Sequence, residues 1–419
     1  MPVTLILAAA LLPLCFLPLA ALNSPKEWTV MVYVNGKNDL ETFALDDLNE
    51  MERAGTSDKV NVVAELGRMN GYSQEEGDWK GVRRYLVTAD SLPYEITSPV
   101  LQDLGQRDMG DWRELEEFGR WAMANYPARH YMLIVWNHGS GWRAPGAAAG
   151  RGISYDYATG NHITTPQLAR ALGGIGRVHV YASDACLMQM AEVAYELKDK
   201  ADYIVGSEET EPVAGYPYDT LLGGLLARPD MSPAELAKLT VNSYADYYAK
   251  KKTASTCSVL KASSLAALRE KTDAFARSLM LCGDKEAFRA ARGAALSYAF
   301  EDNTDLYDLA ELTAGFSADA GVKAKAADLL AFLSGELVTH NRYTLAREDN
   351  EPYNPWKGPV PQPRGYDKSR GLAVYAPTGD YNGAYGDLAW ARDSIWPRFV
   401  TWYLGAGAPG IGGLSLEYN

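Results

Sequence analysis

The sequence predicts an α/β fold, a mainly parallel sheet flanked by helices, followed by a mostly helical C-terminal subdomain. Two patterns lead to it. Short apolar runs alternate with helix-period segments over residues 28–230, the signature of βαβ units. Beyond 230 the period becomes helical, as in SPAELAKLTVNSYADYYAKK and SSLAALREKTDAFARSLM. At 419 residues with 47% hydrophobic and 11% aromatic side chains, the chain can bury a large core. A period of 20 to 50 residues, which would signal a solenoid, is not seen.

The elements follow in order. Residues 4–22, TLILAAALLPLCFLPLAAL, carry no charge and end in small residues before Asn23. The segment 1–22 therefore reads as a signal peptide, which implies a secreted or extracytoplasmic protein. Retained, the same run would anchor the chain to a membrane, although Pro13 and Pro18 weaken it as a spanning helix. A membrane is a partner only in that case. Leu-Pro-Leu before Cys15 lacks the small residue that precedes a lipidated cysteine.

Residues 23–230 form the candidate catalytic domain, with strands at 28–34, 60–66, 131–136, 178–182 and 203–206. Helix 111–126 begins with a capping-box pattern, Asp111 and Glu114, and repeats Trp112, Leu115, Phe118, Trp121 and Ala122 on one face. GVRRYLV at 81–87 reads as an edge element of a hairpin. The helical subdomain occupies 231–350. Residues 351–419 begin with a connector whose five prolines up to residue 364 cannot sustain a helix. GLAVYAP (371–377) reads as a strand returning to the first sheet, and DLAWARDSIWPRFVTWYL (387–404) as one helix. The tail from Gly405 to Gly413 is Gly-rich and reads as flexible.

Composition narrows the function. A net charge of −13 is the opposite of what a phosphate backbone attracts, so nucleic acid is not a partner. Without Cys15, three cysteines remain, Cys186, Cys257 and Cys282. An odd count leaves at least one thiol unpaired, and nothing in the sequence decides whether Cys257 and Cys282 are bonded.

Two strand ends carry reactive residues. YMLIVW runs into Asn137-His138-Gly139-Ser140-Gly141-Trp142, and VHVYA into Ser183-Asp184-Ala185-Cys186. Ligands of open α/β sheets bind beyond the carboxyl ends of the strands, so neighbouring strands would aim both segments into one crevice. Cys186 is then expected to begin a helix with Leu187, Met190, Ala191 and Ala194 on its apolar face, where the helix dipole would favour a thiolate. His138 can activate the thiol or protonate a leaving amine, and Gly139 and Cys186 can offer N–H groups to an oxyanion. Asp184, two residues before Cys186 on an extended strand, can line a pocket for a basic P1 side chain. Taken singly, each has a plainer reading. A histidine after a strand is commonly a surface or core residue, a buried cysteine a small hydrophobe, and Asp184 a helix cap.

The strings LIVWNHGSGW and SDACLMQMAEVAYELKDKADYIVGSEE resemble the clostripain family of cysteine peptidases, relatives of caspases, legumains and gingipains. VMVYVNGKNDLE, CSVLKASSLAAL and GLAVYAP extend the resemblance over nearly all the chain after the leader. It implies a caspase-like fold, His138 and Cys186 as a catalytic dyad, Gly139 as an oxyanion contributor and Asp184 at the floor of S1. It also implies endopeptidase cleavage after Arg or Lys through a thioester, with peptides and proteins as partners. A second S1 acid is usual in the loop after SEE, but Val213 and Ala214 carry no carboxylate here. Glu209, Glu211 and Asp219 are the available substitutes, although each taken singly is more often a solvated loop acid. Self-activation in such enzymes would place a cut after Arg143 or Arg151, which flank the Gly-rich RAPGAAAGRG. No organic cofactor and no metal site are implied; the chain has no EF-hand spacing, and calcium dependence stays open. Two rivals remain. A serine hydrolase built on Ser140 lacks the G-x-S-x-G elbow, and a non-catalytic binding protein could keep a peptidase scaffold.

Overall fold

The structure, a computed structural model, describes residues 25–142, 152–345 and 365–405. The leader, Arg143, Arg151, the proline-rich connector and the tail beyond Gly405 lie outside the described residues. In the first half, strands β1 (Lys26–Gly36), β2 (Val60–Arg68), β3 (Gly81–Leu86), β4 (Val100–Gly105), β5 (Ala128–Trp136), β6 (Gly152–Asp156), β7 (Asn161–Thr164) and β8 (Val178–Asp184) alternate with helices α1 (Glu41–Glu52), α2 (Trp112–Asn125) and α3 (Thr165–Ile175). Then come α4 (Ala191–Glu196), β9 (Ala201–Gly206), α5 (Tyr218–Ala227), α6 (Pro233–Lys251), β10 (Ser255–Lys261), α7 (Leu265–Cys282) and α8 (Lys285–Ala294). Strand β11 (Asn303–Asp305), α9 (Leu306–Phe316), α10 (Ala320–Phe332), β12 (Val338–Thr344), β13 (Ala373–Tyr375), α11 (Ala389–Asp393) and α12 (Trp396–Leu404) complete the series.

Nine strands form the main sheet in the order β12-β10-β9-β8-β5-β1-β2-β3-β4. Its middle five, from β9 to β2, are parallel, as the βαβ pattern predicts. The order reverses beside β1, since β2 lies on one side and β5 on the other. Alternation along the strands divides the core. Val30, Val32, Met132, Ile134, Val180 and Ala182 pack with α1, α5 and α6. Met31, Tyr33, Leu133 and Val135 pack with α2, α3, α4 and the later helices. Each buried Val, Leu, Ile or Met among them contributes roughly 1.5–3 kcal/mol.

Several expectations need correction. GVRRYLV is β3, but β4 lies outside it and is the true edge. Asp111 caps α2 by accepting from Arg113 N–H, whereas Glu114 turns to Arg107 at 3.3 Å instead of closing a capping box. The stretch 231–350 supplies helices α6 to α10, yet its strands β10 and β12 extend the main sheet, so the sheet continues past residue 230. GLAVYAP does not rejoin that sheet; β13 pairs with β11, and Ala373 bridges Met190. The helix foreseen over 387–404 breaks at Ser394–Ile395, and α12 restarts with Pro397 in its first turn, where a missing N–H costs nothing. Cys257 and Cys282 are unbonded, one buried in β10 and the other exposed at the end of α7.

One buried ion pair fastens the loop after β1 to the β6–β7 hairpin. Lys37 Nζ lies 2.8 Å from Asp156 Oδ2 with both side chains almost fully buried, and it also donates to the Arg107 carbonyl. Asp156 further accepts from the N–H groups of Met109 and Ala158, at 3.0 and 2.9 Å. Asp156→Ala leaves a buried ammonium unpaired and should destabilise the fold by about 3–5 kcal/mol. A chemical denaturation midpoint checks this; a loss below about 1 kcal/mol contradicts it.

Candidate active site

The register of two parallel strands builds the site. Trp136 of β5 pairs with Asp184 of β8, and Asn137 N–H donates to the Asp184 carbonyl at 3.2 Å. His138 and Cys186 therefore each stand two residues past the same rung of the ladder. Their strands are neighbours, as the paired motifs require, and both segments leave the carboxyl edge of the sheet beside its reversal point.

Gly139 closes the gap between them. A Cβ at this position would lie 2.4 Å from the Cys186 carbonyl oxygen and 3.1 Å from its N, so only glycine lets the backbones approach this closely. Ser140 N–H donates to the Gly152 carbonyl and Ser154 N–H to the His138 carbonyl, so this ladder consumes neither the Gly139 nor the Cys186 N–H. Ser140, the rival nucleophile, is buried with its hydroxyl 2.7 Å from that of Tyr155 and accepting from Gly152 N–H, an environment suited to structure and not to attack.

Cys186 departs from its expected setting. The strand ends at Asp184, Leu187 takes a left-handed conformation (φ 64°), and the next helix starts only at Ala191. The expected helix dipole at the thiol is therefore absent. Sγ instead accepts from Glu211 N–H at 3.2 Å. The thiol is pushed up to about 12, chiefly by burial and then by the Glu211 charge, so it is neutral at rest. The turn also separates the two residues read as lying on one side. Asp184 keeps the parity of Val180 and Ala182 and looks toward the α1–α5–α6 face, while Cys186 packs with the opposite core.

Asp184 is buried among acidic and tyrosine side chains. Its carboxylate accepts from Tyr216 N–H at 3.2 Å and from the Tyr218 hydroxyl at 2.8 Å. A side chain at Gly215 would strike Asp184 Oδ1 at 2.8 Å. Burial raises Asp184 to about 6, with its hydrogen bonds opposing the rise. Of the three substitutes for a second acid, Glu211 alone meets Asp184. Burial and the Asp184 charge push Glu211 well above its usual range. That contact is poorly directed, and both Glu211 carboxyl oxygens are buried without a well-formed hydrogen bond. Glu209 turns away, accepting from the N–H groups of Thr210 and Ala299 at 2.8 and 3.0 Å. Asp219 lies at the surface 3.3 Å from Arg53.

Sequence reasoning missed two acids. Asp47 of α1, buried and raised first by burial and then by the Asp184 charge, accepts from Trp136 Nε1 at 2.6 Å. Asp39, in the loop after β1, reaches His138. The signal for both lay in the opening GKNDLE and the helix after it, which follow the first parallel strand at the crevice where the order reverses. Among the described residues no group of acids, histidines and cysteines has the arrangement of a metal site, and no helix is long and apolar enough to cross a membrane.

Comparison with known proteins agrees with this geometry. The family model described as the clostripain family matches residues 32–338. Clostripain from Hathewaya histolytica is 28% identical over 227 residues, 49% of this chain and 43% of that protein, so the match spans less than half of that relative. A secreted C11 cysteine protease from Bacteroides thetaiotaomicron, solved with an irreversible peptide inhibitor, superposes with a TM-score of 0.62 at 21% identity, covering 90% of this chain and 98% of that one. An inactive zymogen C11 protease from Parabacteroides distasonis gives 0.65 at 21% identity, with 88% and 98% covered. These structures share the fold. With the family match running through both strand ends and over most of its length, the chain belongs to the clostripain family.

Proposed function

We propose that this chain is a secreted cysteine endopeptidase that cleaves after Arg or Lys through a thioester on Cys186. The observation that carries the reading is the β5–β8 register, which brings the His138–Gly139 and Cys186 strand ends together beside a buried carboxyl pair with no contacting cation among the described residues. An arginine or lysine side chain at P1 supplies that cation, neutralises the Asp184–Glu211 pair and draws Glu211 toward ionisation. Calcium is given no task in this scheme, and no cofactor is needed.

In the proposed reaction the Cys186 thiol gives its proton to His138 as sulfur bonds to the scissile carbonyl carbon. The N–H groups of Gly139 and Cys186 receive the oxyanion. Collapse breaks the C–N bond, and the proton passes from His138 to the departing amine, leaving a thioester. Water then attacks with His138 as base, releases the acid and restores the thiol. The Glu211 segment over Sγ belongs to a resting form in this reading. Self-cleavage after Arg143 or Arg151 is the proposed activation, and the intact mass of fully active enzyme tests it. Two fragments are expected; one uncut active chain removes the idea.

Matched fluorogenic peptides with Arg, Lys, Asp or Leu at P1 test the specificity. Residues 23–419 should cleave after Arg or Lys and not after Asp or Leu, and Cys186→Ala should lose the activity. Silence in both, with calcium added and after proteolytic activation, favours the binding-protein reading, to which the covered thiol lends some support.

Asp184 also makes a prediction about stability. Its folded pKa, about 6, lies above its ordinary value, so the folded state holds this proton over a window where the unfolded chain has released it. Stability on this account falls as pH rises from about 4 to about 6 and stays reduced above. Asp184→Asn should therefore abolish cleavage after basic residues yet stabilise the fold at pH 7.5 by roughly 1–2 kcal/mol. Equal melting temperatures at pH 7.5 would count against the raised carboxyl.

A further inference from the structure

The loop after β1 brings a carboxylate to the crevice, and the reaction scheme above gives it no task. Asp39 Oδ1 lies 2.8 Å from His138 Nε2. The loop is built to hold it there. Asn38 Nδ2 donates to the Tyr155 carbonyl at 2.8 Å, Asn38 Oδ1 accepts from Leu40 N–H at 2.9 Å, and Tyr157 N–H donates to the Lys37 carbonyl at 2.8 Å. The Tyr157 ring lies parallel to the imidazole, with centroids 6.2 Å apart and planes 13° from each other. Asp39 and Tyr157 thus constrain one ring from two elements.

The chemistry of the contact decides the tautomer. The hydrogen bond with His138 holds the Asp39 carboxyl below its usual range, so at neutral pH Asp39 is an anion and can only accept. Nε2 must then carry the proton, and Nδ1 is the nitrogen with a free lone pair. The other titratable groups facing the ring are Tyr155 and Tyr157, both raised to about 12 chiefly by burial and so neutral, with Cys186 beyond Gly139 on the adjacent strand end. The nearby ammonium of Lys37 is committed to Asp156. Asp39 is therefore the charged group in contact with the imidazole among the described residues.

We infer that Asp39 is the positioning residue of His138, holding the Nε2–H tautomer and ring plane so that Nδ1 serves as the base and the imidazolium formed on thiol deprotonation is stabilised. The kinetic part of this inference rests on the peptidase reading; the contact and tautomer do not. A carboxylate on the far nitrogen both orients the ring and raises its basicity.

The test separates the two. In isotope-labelled residues 23–419 carrying Cys186→Ala, nitrogen and proton resonances should show His138 protonated at Nε2, identified by its loss in His138→Gln. Adding Asp39→Ala should release the ring and let the proton redistribute between Nε2 and Nδ1. With Cys186 restored, Asp39→Asn and Asp39→Ala should lower kcat about 10- to 100-fold with KM little changed. Asp39→Glu should recover part of kcat. An Nδ1–H tautomer, or a tautomer indifferent to Asp39→Ala, overturns the inference whatever the activity. A loss of kcat with no recovery in Asp39→Glu overturns its kinetic part. Wild-type protein inert toward basic peptides overturns the peptidase reading, while the resonances still decide the role of Asp39.

Discussion

The site depends on one constraint, the in-register parallel pairing of β5 with β8. Because Trp136 faces Asp184, both strands end on one rung and their next residues leave the sheet together. A slip of one residue would turn every side chain of a strand to the opposite face, exposing Met132 and Ile134 to the wrong core. The apolar alternation that stabilises the sheet is therefore also what aligns His138 with Cys186. Gly139 completes the arrangement by removing the one side chain that would hold the two backbones apart.

Around that frame the electrostatics oppose stability. Asp47, Asp184 and Glu211 are buried together without a guanidinium or ammonium among the described residues that contact them, and burial raises all three. A protein selected for stability alone would place apolar groups or a paired cation here. The unpaired acids make sense where a ligand brings the missing charge, which joins the acid cluster to the proposed basic P1 side chain. The neutral thiol fits the same resting state, because Glu211, whose carboxyl crowds Asp184, also donates its backbone N–H to Sγ.

Much of this was legible in the sequence where one local rule governs. The parallel strands and α2 follow from apolar period, and the crevice from the rule that ligands bind past strand ends. Where tertiary pairing decides, the reading failed. GLAVYAP is apolar enough for the main sheet, but β11 offers it a closer partner. The segment after Cys186 has helical period, yet Leu187 N–H bonds to the Glu209 carbonyl and Gln189 N–H to that of Ser207, extending the line of β9 and delaying the helix to Ala191. Asp39 stands in the GKNDLE string after the first strand, but its partner lies 99 residues away, and only the fold brings the two loops together.

The most direct test of the whole account is to treat the protein with an arginyl or lysyl chloromethyl ketone and map the adduct by peptide mass. The account predicts a single covalent adduct on Cys186, lost in Asp184→Asn and undiminished when a leucyl ketone competes. Labelling that ignores the P1 side chain, falls on Cys257 or Cys282, or persists equally in Asp184→Asn would contradict it.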